Sequence, residues 1–220
     1  TYYIMLGYWA GLGGSVLSLI MRMELFVPGG FALSGMGQVY NSVLTLHGIL
    51  MVFFVVMPIL IGGFGNWMLP VMIGAPEMAF PRVNALSFWF TFVALIMVYQ
   101  SFFVGGGAGG SWVLYPPLSI EGQPEMSMDV MILGLHTVGV GSLLGAINFM
   151  ITTQNMRSVA VTLDQMSMFV WTTYLTSLLL VLSVPVLAGS LLFLLLDRNF
   201  NTSFYDTKKG GNPLLYQHLF

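Results

Sequence analysis

Residues 43–72 read VLTLHGILMVFFVVMPILIGGFGNWMLPVM, and they contain no aspartate, glutamate, lysine or arginine. A helix that spans a bilayer needs about 20 mainly apolar residues, so this stretch is long enough to cross a membrane. Its apolar character continues past Pro58 into Gly62, Gly63 and Gly65, which predicts an irregular or kinked portion within one long helix. We therefore interpret it as one of several transmembrane helices.

The composition of the whole chain also indicates a membrane protein. Of 220 residues, 57% are hydrophobic and only 6% are charged, against roughly 25% charged residues in an ordinary soluble domain. Three long stretches contain no charged residue, namely 25–76, 83–120 and 165–196. Because so few charges cannot solvate the surface of a soluble protein, we predict an all-α polytopic transmembrane helix bundle.

The remaining apolar runs predict the other helices. They lie at Tyr3–Met23, Leu86–Val104, Asp129–Met156 and Met168–Leu196. Together with Val43–Met72 they give about five transmembrane helices in a single membrane domain over residues 1–220, which ends in a polar tail at Phe220. The glycine run at 105–110 is not followed by the lysine of a phosphate-binding loop, so we expect a tight turn at the membrane edge.

The charges exclude some partners and orient the helices only weakly. A net charge of −2 gives no reason to expect nucleic acid, and the absence of cysteine excludes disulfides and thiolate metal sites. If the N-terminus faces the negative side, the loops with Arg82 and Arg157 face it too, and the loop with Glu121 and Glu125 lies opposite. The basic residues of the tail then fall on the unfavoured side.

His47 is the only ionisable residue in the second predicted helix. An ionisable group at membrane depth is costly, so a functional role is the default interpretation. A neutral imidazole suits a haem iron or copper site, and Gly48 would let a flat macrocycle approach the backbone. A hydrogen bond from His47 to the carbonyl of a neighbouring helix explains its presence equally well, and the residues alone leave both interpretations open.

The other two histidines predict less. His136 lies in the fourth predicted helix at a depth comparable to that of His47, which permits a self-contained b-type cytochrome with both as haem ligands. A structural hydrogen bond to another helix is the competing interpretation of His136. His218 lies in the polar tail, where a histidine is usually solvated.

Polar residues gather towards the end of the bundle that holds the second predicted loop. They suggest a hydrated path with Glu77 at its mouth, because an exposed carboxylate exchanges protons quickly and attracts cations. The residues of this set are Asn66, Glu77, Asn84, Ser87, Ser142 and Asn148. Two alternatives remain: Glu77 paired with Arg82 and asparagines that bridge helices, or a cofactor-free membrane transporter with these side chains along its permeation route.

Arg22, Glu24 and Trp112 lie towards the opposite end. Arg22 and Trp112 can donate hydrogen bonds to the formyl or carboxylate groups of a cofactor. Both residue types are also common anchors at the membrane interface, and this interpretation stays open.

Several motifs carry a resemblance over nearly the whole chain, in order. They are PILIGGFGNW at 58–67, IGAPEMAFPR at 73–82, WVLYPPL at 112–118, LLGAINF at 143–149, DRNFNT at 197–202 and PLLYQHLF at 213–220. The chain thereby resembles the N-terminal part of subunit I of the haem–copper oxidases, a family that includes cytochrome c oxidase. The segment from Gly74 to Arg82 is similar to the mitochondrial type.

The resemblance implies a low-spin haem a with His47 as one axial ligand, whereas His136 matches a family histidine that does not bind metal. It further implies that Arg22 contacts the haem formyl group and that Trp112 donates to a propionate of a second haem. The remaining residues implied near the first haem are Gly11, Ser15, Ser18 and Tyr40. Glu24, with the backbone near Gly29, matches a cation site for calcium, sodium or magnesium.

The resemblance also assigns the polar set to a proton-uptake path. Its members here are Tyr3, Asn66, Glu77, Asn84, Ser87, Ser142 and Asn148. Two positions depart from the family pattern, because Glu77 stands where the family usually has aspartate and Gly141 where it often has serine. Acidity is retained at the first position, and a water molecule can replace the hydroxyl at the second.

The resemblance places the oxygen-reducing site outside this chain. Two haems and a copper need more histidines than the three present, so the second haem a and the copper are held elsewhere and no catalytic residue lies here. The chain opens at Thr1 with neither methionine nor a signal-peptide pattern, so we expect processing or further residues before it. We expect the rest of subunit I on a separate polypeptide, because chain breaks are tolerated in polar loops, although early truncation is the alternative.

The implied setting is a respiratory assembly. The expected partners are the copper-bearing subunit II, subunit III and other complex IV subunits, cytochrome c as electron donor, and membrane lipid. The expected location is the mitochondrial inner membrane, with several passes. A relative that takes quinol as donor or nitric oxide as substrate stays open, because those choices depend on segments outside this sequence.

Overall fold

The computed structural model describes all of residues 1–220 and consists of helices joined by loops. Five helices are long and apolar enough to cross a membrane. We label them α1 (Tyr2–Phe26), α2 (Gly37–Ile73), α3 (Pro81–Phe103), α4 (Met126–Asn155) and α5 (Met168–Asn199). A short helix, α6 (Pro213–Leu219), lies in the tail, and single 3-10 turns occur at Leu163–Gln165 and Thr207–Lys209. The predicted all-α bundle with five candidate membrane spans is confirmed.

Several helices begin or end further out than the apolar runs predicted. Helix α2 begins at Gly37 instead of Val43, and α5 continues to Asn199 instead of Leu196. Helix α3 begins at Pro81 instead of Leu86, because proline suits the first turn, where the backbone N–H has no helical partner. Apolar patterning misses these polar ends, which extend beyond the core of a bilayer.

The middle of α2 is irregular, as predicted. It forms π-helical turns at Leu50–Val56 and again at Pro58–Gly65, before regular α-helix resumes at Asn66. Pro58 has no N–H to donate and its ring crowds the carbonyl four residues earlier, so a wider turn relieves both problems.

Glycines let neighbouring helices approach closely. A Cβ at Gly14 of α1 would lie 2.7 Å from the Met51 sulfur of α2, and a Cβ at Gly134 of α4 would lie 2.8 Å from Val98 of α3. Small residues at such contacts are typical of helix packing in membranes. The buried core between these helices includes Leu46, Ile49, Leu50, Phe54, Leu95, Val98, Met131, Ile132, Leu191 and Leu194.

The connecting segments alternate between the two ends of the bundle. At one end, the loop after α2 meets the loop after α4, since the Ser158 N–H donates to the Ile73 carbonyl at 2.9 Å. At the other end, the guanidinium of Arg198 donates to the Glu125 carbonyl at 2.9 Å, which joins the end of α5 to the loop before α4. This arrangement agrees with the predicted separation of the Arg157 and Glu125 loops.

The polar tail holds two buried tyrosines that the sequence did not predict, whereas His218 is exposed as expected. Tyr205 and Tyr216 are 1% and 0% exposed, and their hydroxyls donate to the carbonyls of Ser190 at 3.0 Å and Val113 at 2.6 Å. Burial raises the pKa of Tyr205 to about 12, with a smaller contribution from the Asp197 charge, and burial also raises the pKa of Tyr216. Both phenols therefore stay protonated as donors, and the tail covers this end of the bundle.

Candidate functional site

The imidazole of His47 in α2 has one nitrogen bonded and one free. Its Nδ1 lies 2.8 Å from the carbonyl oxygen of Gly14 in α1. A carbonyl only accepts, so Nδ1 carries the proton in this hydrogen bond. No protein atom bonds Nε2, which therefore keeps its lone pair. This is the tautomer that a histidine metal ligand adopts when a neighbouring acceptor fixes its ring.

One face of α1 next to Gly14 carries the residues assigned to the haem. Gly11, Ser15, Ser18 and Arg22 follow one another at helical spacing and share this face. Ser15 and Arg22 are exposed, and Gly11 and Ser18 are half-buried. Gly11 packs near Val55 of α2, whereas Ser15 and Arg22 are not covered by the core of this chain.

Trp112 lies beside the other side of the His47 turn. It is carried by the loop between α3 and α4, and a Cβ at Gly48 would lie 3.0 Å from the Trp112 Cβ. The space that Gly48 leaves is thus taken by Trp112, not by a macrocycle as its glycine suggested. The indole ring also packs edge-on against Phe220, with centroids 6.0 Å apart.

Glu24 organises the loop between α1 and α2. Its carboxylate accepts from the backbone N–H groups of Phe31 at 3.0 Å, Leu33 at 2.7 Å and Gly35 at 3.5 Å. Gly30 has a φ of +90°, and a Cβ there would lie 2.5 Å from a Glu24 carboxylate oxygen, so the turn requires glycine.

Tyr40 and Gly29 line the same groove as Glu24. Tyr40 is half-buried, and its backbone N–H donates to the Met36 carbonyl at 3.1 Å. The N–H donors already use most of the lone pairs of the Glu24 carboxylate. A calcium ion takes six to eight oxygen ligands, so a calcium ion bound here would need most of its ligands from atoms other than the Glu24 carboxylate.

Tyr3, Asn66, Ser87 and Ser142 lie together around a cavity of about 40 Å³. A cavity of this size holds water, since a single molecule needs roughly 10–15 Å³ of such space. The Tyr3 hydroxyl is 2.6 Å from the Ser87 hydroxyl, and Asn66 donates its amide to the Gly62 carbonyl at 2.7 Å. The buried amide oxygen of Asn66 has no partner in the protein. This acceptor marks a position for a bound water.

A larger groove of about 630 Å³ lies next to this cavity and shares lining residues with it. Tyr3 and Asn66 line both spaces, and Asn84 lines the outer one. The aromatic rings of Trp67 and Trp89 also border the groove. Two polar side chains of the cavity thus also border the groove at the end of the bundle where the loop after α2 lies.

Asn148 and Glu77 lie outside that cavity. The side chain of Asn148 is buried and bonds both backbone groups of Phe80, accepting at 2.9 Å and donating at 3.2 Å. It thereby fastens the loop that carries Glu77, whose side chain is exposed. Glu77 forms no ion pair with Arg82, since the salt bridges join Arg198 to Asp129 and Lys208 to Glu121.

Gly141 lines the inner cavity where α4 crosses α3. A Cβ at this position would lie 2.9 Å from the Ser87 carbonyl oxygen. A serine would force the two helices apart at this crossing, so close packing accounts for glycine here.

His136 is placed differently from His47. Its Nε2 lies 2.9 Å from the Ala188 carbonyl of α5, and its Nδ1 lies 3.1 Å from the Ile132 carbonyl of α4. Both nitrogens face backbone acceptors, and the ring lies between α4 and α5, whereas the His47 ring contacts α1. The structure does not bring the two histidines together around one haem.

Sequence reasoning missed the polar contacts around Gln123 and Arg198. Arg198 bonds the Asp129 carboxylate at 2.6 Å, and its guanidinium also donates to the carbonyls of Ser119, Gln123 and Glu125. Gln123 forms a reciprocal amide pair with Gln38. These partners lie 69 to 85 residues apart in the chain, so no local pattern signals them. Only the charge of Arg198, at the end of an apolar helix, marked it for attention.

Comparison with known proteins gives a consistent family. The family model for cytochrome c and quinol oxidase polypeptide I matches residues 1–220. Cytochrome c oxidase subunit 1 of Eremothecium gossypii is 48% identical over 219 residues, which are 99% of this chain and 41% of that protein. The same subunit of Pecten maximus is 49% identical over 222 residues, covering 100% of this chain and 46% of that protein. The chain thus spans less than half the length of these curated relatives.

Proposed function

The chain belongs to the cytochrome c and quinol oxidase polypeptide I family, and we propose that it forms part of the catalytic subunit of cytochrome c oxidase. In this proposal the full assembly passes electrons from cytochrome c to dioxygen and pumps protons. The present chain supplies a haem ligand and the entrance for protons. The second haem a, the copper and the oxygen-reducing site belong to segments outside residues 1–220.

The state of the His47 imidazole carries the proposal. Its Nδ1 proton is held by the Gly14 carbonyl, and its Nε2 has no hydrogen-bond partner in the protein. Nε2 of His47 would bind the iron of a low-spin haem a, a group that accepts and releases single electrons. The carbonyl of Gly14 would fix the tautomer and raise the basicity of the ligand. Arg22 would donate to the formyl group, and Tyr40 and Trp112 would lie at propionates.

An optical difference spectrum of the assembled oxidase tests this role. We expect His47→Ala to remove the low-spin a-type band of the reduced-minus-oxidised spectrum, while the carbon monoxide-sensitive haem persists. His218→Ala is the matched control, because His218 is exposed in the tail and should leave both signals unchanged. A low-spin band that survives in His47→Ala would disprove the ligand assignment.

The polar cavity supports proton uptake from the end that holds Glu77. Glu77 would collect protons, and the groove bordered by Asn84 would lead them to a water chain at Tyr3, Asn66, Ser87 and Ser142. Asn148 would act indirectly, by holding the loop of Glu77 in place. The inner cavity is too small for most solutes, which favours protons over the substrate of a cofactor-free transporter.

Proton uptake by the assembly in vesicles tests the role of Glu77. Glu77→Gln should slow uptake severalfold because it removes the exchangeable carboxylate, and Glu77→Asp should retain most of the rate. Glu121→Gln removes an exposed carboxylate at the opposite end and serves as the control. Equal rates in Glu77→Gln and in the unchanged protein would refute this entrance.

The proposed setting follows from the family. The chain would lie in the mitochondrial inner membrane beside the rest of subunit I, the copper-bearing subunit II and subunit III. The multi-pass character rests on the five membrane-spanning candidates. A cation at Glu24 and Gly29 would need further oxygen ligands from these neighbours.

A further inference from the structure

We propose that the Gln38–Gln123 amide pair is a positioning device for Trp112, and through Trp112 for the propionate of the second haem that its indole N–H would meet. The inference rests on the proposed function, and it adds two positioning residues to it. Neither glutamine would touch the haem.

The two amides hold each other and the glycine-rich loop in one arrangement. The Gln38 amide nitrogen donates to the Gln123 amide oxygen at 2.6 Å, and the Gln123 amide nitrogen donates back at 3.1 Å. Gln38 also donates to the Gly107 carbonyl at 3.1 Å, and the Gly109 N–H donates to Gln123 at 3.1 Å. These backbone partners fix which atom of each amide is oxygen, because a carbonyl accepts and an N–H donates.

Gln123 joins three parts of the chain. Its side chain is 5% exposed and contacts the start of α2 and the glycine-rich loop. Its own carbonyl accepts from the Arg198 guanidinium of α5 at 2.6 Å. The loop is therefore tied to both helices through a single buried residue, and buried polar networks with every partner satisfied are rigid.

The loop depends on these side chains because its backbone gives it little support. Gly105, Gly106, Gly107, Ser111 and Leu114 all have positive φ, and the loop forms no regular ladder of hydrogen bonds. The backbone bonds that it does form include two turn contacts of 3.3 Å, at Gly107 and at Leu114. Losing the amide pair should therefore free the backbone between residues 105 and 114.

Trp112 transmits this position to the haem side of the bundle. It follows Gly109 by three residues and packs on Gly48, directly after the ligand His47. An indole N–H that donates to a haem carboxylate helps to set the local charge, and hence the haem potential. A displaced loop would lengthen or break that hydrogen bond without changing the ligand.

Variants of the two glutamines in the assembled oxidase test the inference. Gln38→Leu, Gln123→Leu and the double variant each remove the pair, so the effect of the double variant should be smaller than the sum of the two single effects. Gln154→Leu is the control, since Gln154 bonds the Tyr174 hydroxyl at 2.6 Å at the opposite end of the bundle. Gln38 is exposed, so its variant should fold even if Gln123→Leu disturbs the packing of the loop.

We expect amide hydrogen exchange of residues 105–114 to accelerate about tenfold in each pair variant and to stay unchanged in the control. The haem bands and the midpoint potentials should shift in the same variants, with the low-spin band of His47 retained. An unaltered exchange rate, or a faster loop with unaltered haem signals, would overturn the positioning role. Failure of His47→Ala to affect the low-spin haem would instead overturn the proposed function, so the two failures are distinguishable.

Discussion

The two ends of the bundle handle buried polar groups in opposite ways. Near Trp112, the guanidinium of Arg198 is 3% exposed and satisfies a carboxylate and several loop carbonyls. Towards the Glu77 end, the buried amide oxygen of Asn66 has no protein partner and lies at a small polar cavity beside a larger groove. We call the end near Trp112 the closed end and the end near Glu77 the open end. The closed end suits a fixed redox group, and the open end suits water and protons. The proposed redox and proton functions would then lie at opposite ends of one set of helices.

Removal of Arg198 should have the largest effect and would break the closed end. We expect Arg198→Met to lower the free energy of unfolding by about 3 kcal/mol, because Asp129 loses its ion pair and the loop carbonyls lose their donor. Thermal unfolding of the purified assembly measures this change. Lys208→Met removes the exposed pair with Glu121 and should leave the midpoint unchanged. Similar midpoints for the two variants would show that the closed end is not held by Arg198.

Substitutions of the two asparagines at the open end should differ in how much they lower the free energy of unfolding. Asn148→Leu strands the N–H of Phe80 and leaves its carbonyl with only the Asn84 N–H, so it should cost about 2 kcal/mol. Asn66→Leu loses one hydrogen bond but also removes an unpartnered acceptor, so its cost should be smaller. Unfolding measurements on both variants, with proton uptake for Asn66→Leu, test the contrast. An Asn66 variant that takes up protons at the normal rate would contradict a water at this amide.

High pH should loosen the closed end through its tyrosines. The folded pKa of Tyr205 is about 12, above its ordinary value of 10.0, so the neutral phenol stabilises the fold. This stabilisation is complete below pH 10 and is lost as the pH rises towards 12. Tyrosinate absorbance and amide exchange of residues 203–217 measure it, with Tyr205→Phe as the variant that should lack the transition. Release of the tail well below the ordinary tyrosine pKa would contradict this account.

The sequence predicted the helices well because a long apolar run in lipid must satisfy its backbone hydrogen bonds internally, and a helix does so. The run at 43–72 also predicted its own irregularity, since Pro58 and its neighbouring glycines disturb the backbone locally. Helix ends were missed where polar residues continue the helix past the apolar run, as at Asn199. Local composition predicts where apolar helices lie and where they are interrupted, but it does not predict their exact ends.

The contacts of the candidate site were harder to predict from the sequence than the helices were. His47 was identifiable because it is the single ionisable residue in its helix, but its partner is a backbone carbonyl, which has no sequence signal. The roles of Gln38 and Gln123 were not predicted, because they arise from contacts 85 residues apart. The burial of Tyr205 and Tyr216 was not predicted, because the tail contains no long apolar run.

An electron cryo-microscopy map of the assembled oxidase that contains this chain tests the central claim most directly. We predict planar haem density with its iron at coordination distance from Nε2 of His47, and Nδ1 still bonded to the Gly14 carbonyl. His136 should keep both nitrogens on backbone carbonyls in the same map. A His47 ring that contacts only protein or lipid, with no haem beside α1, would contradict the assignment of this chain to electron transfer.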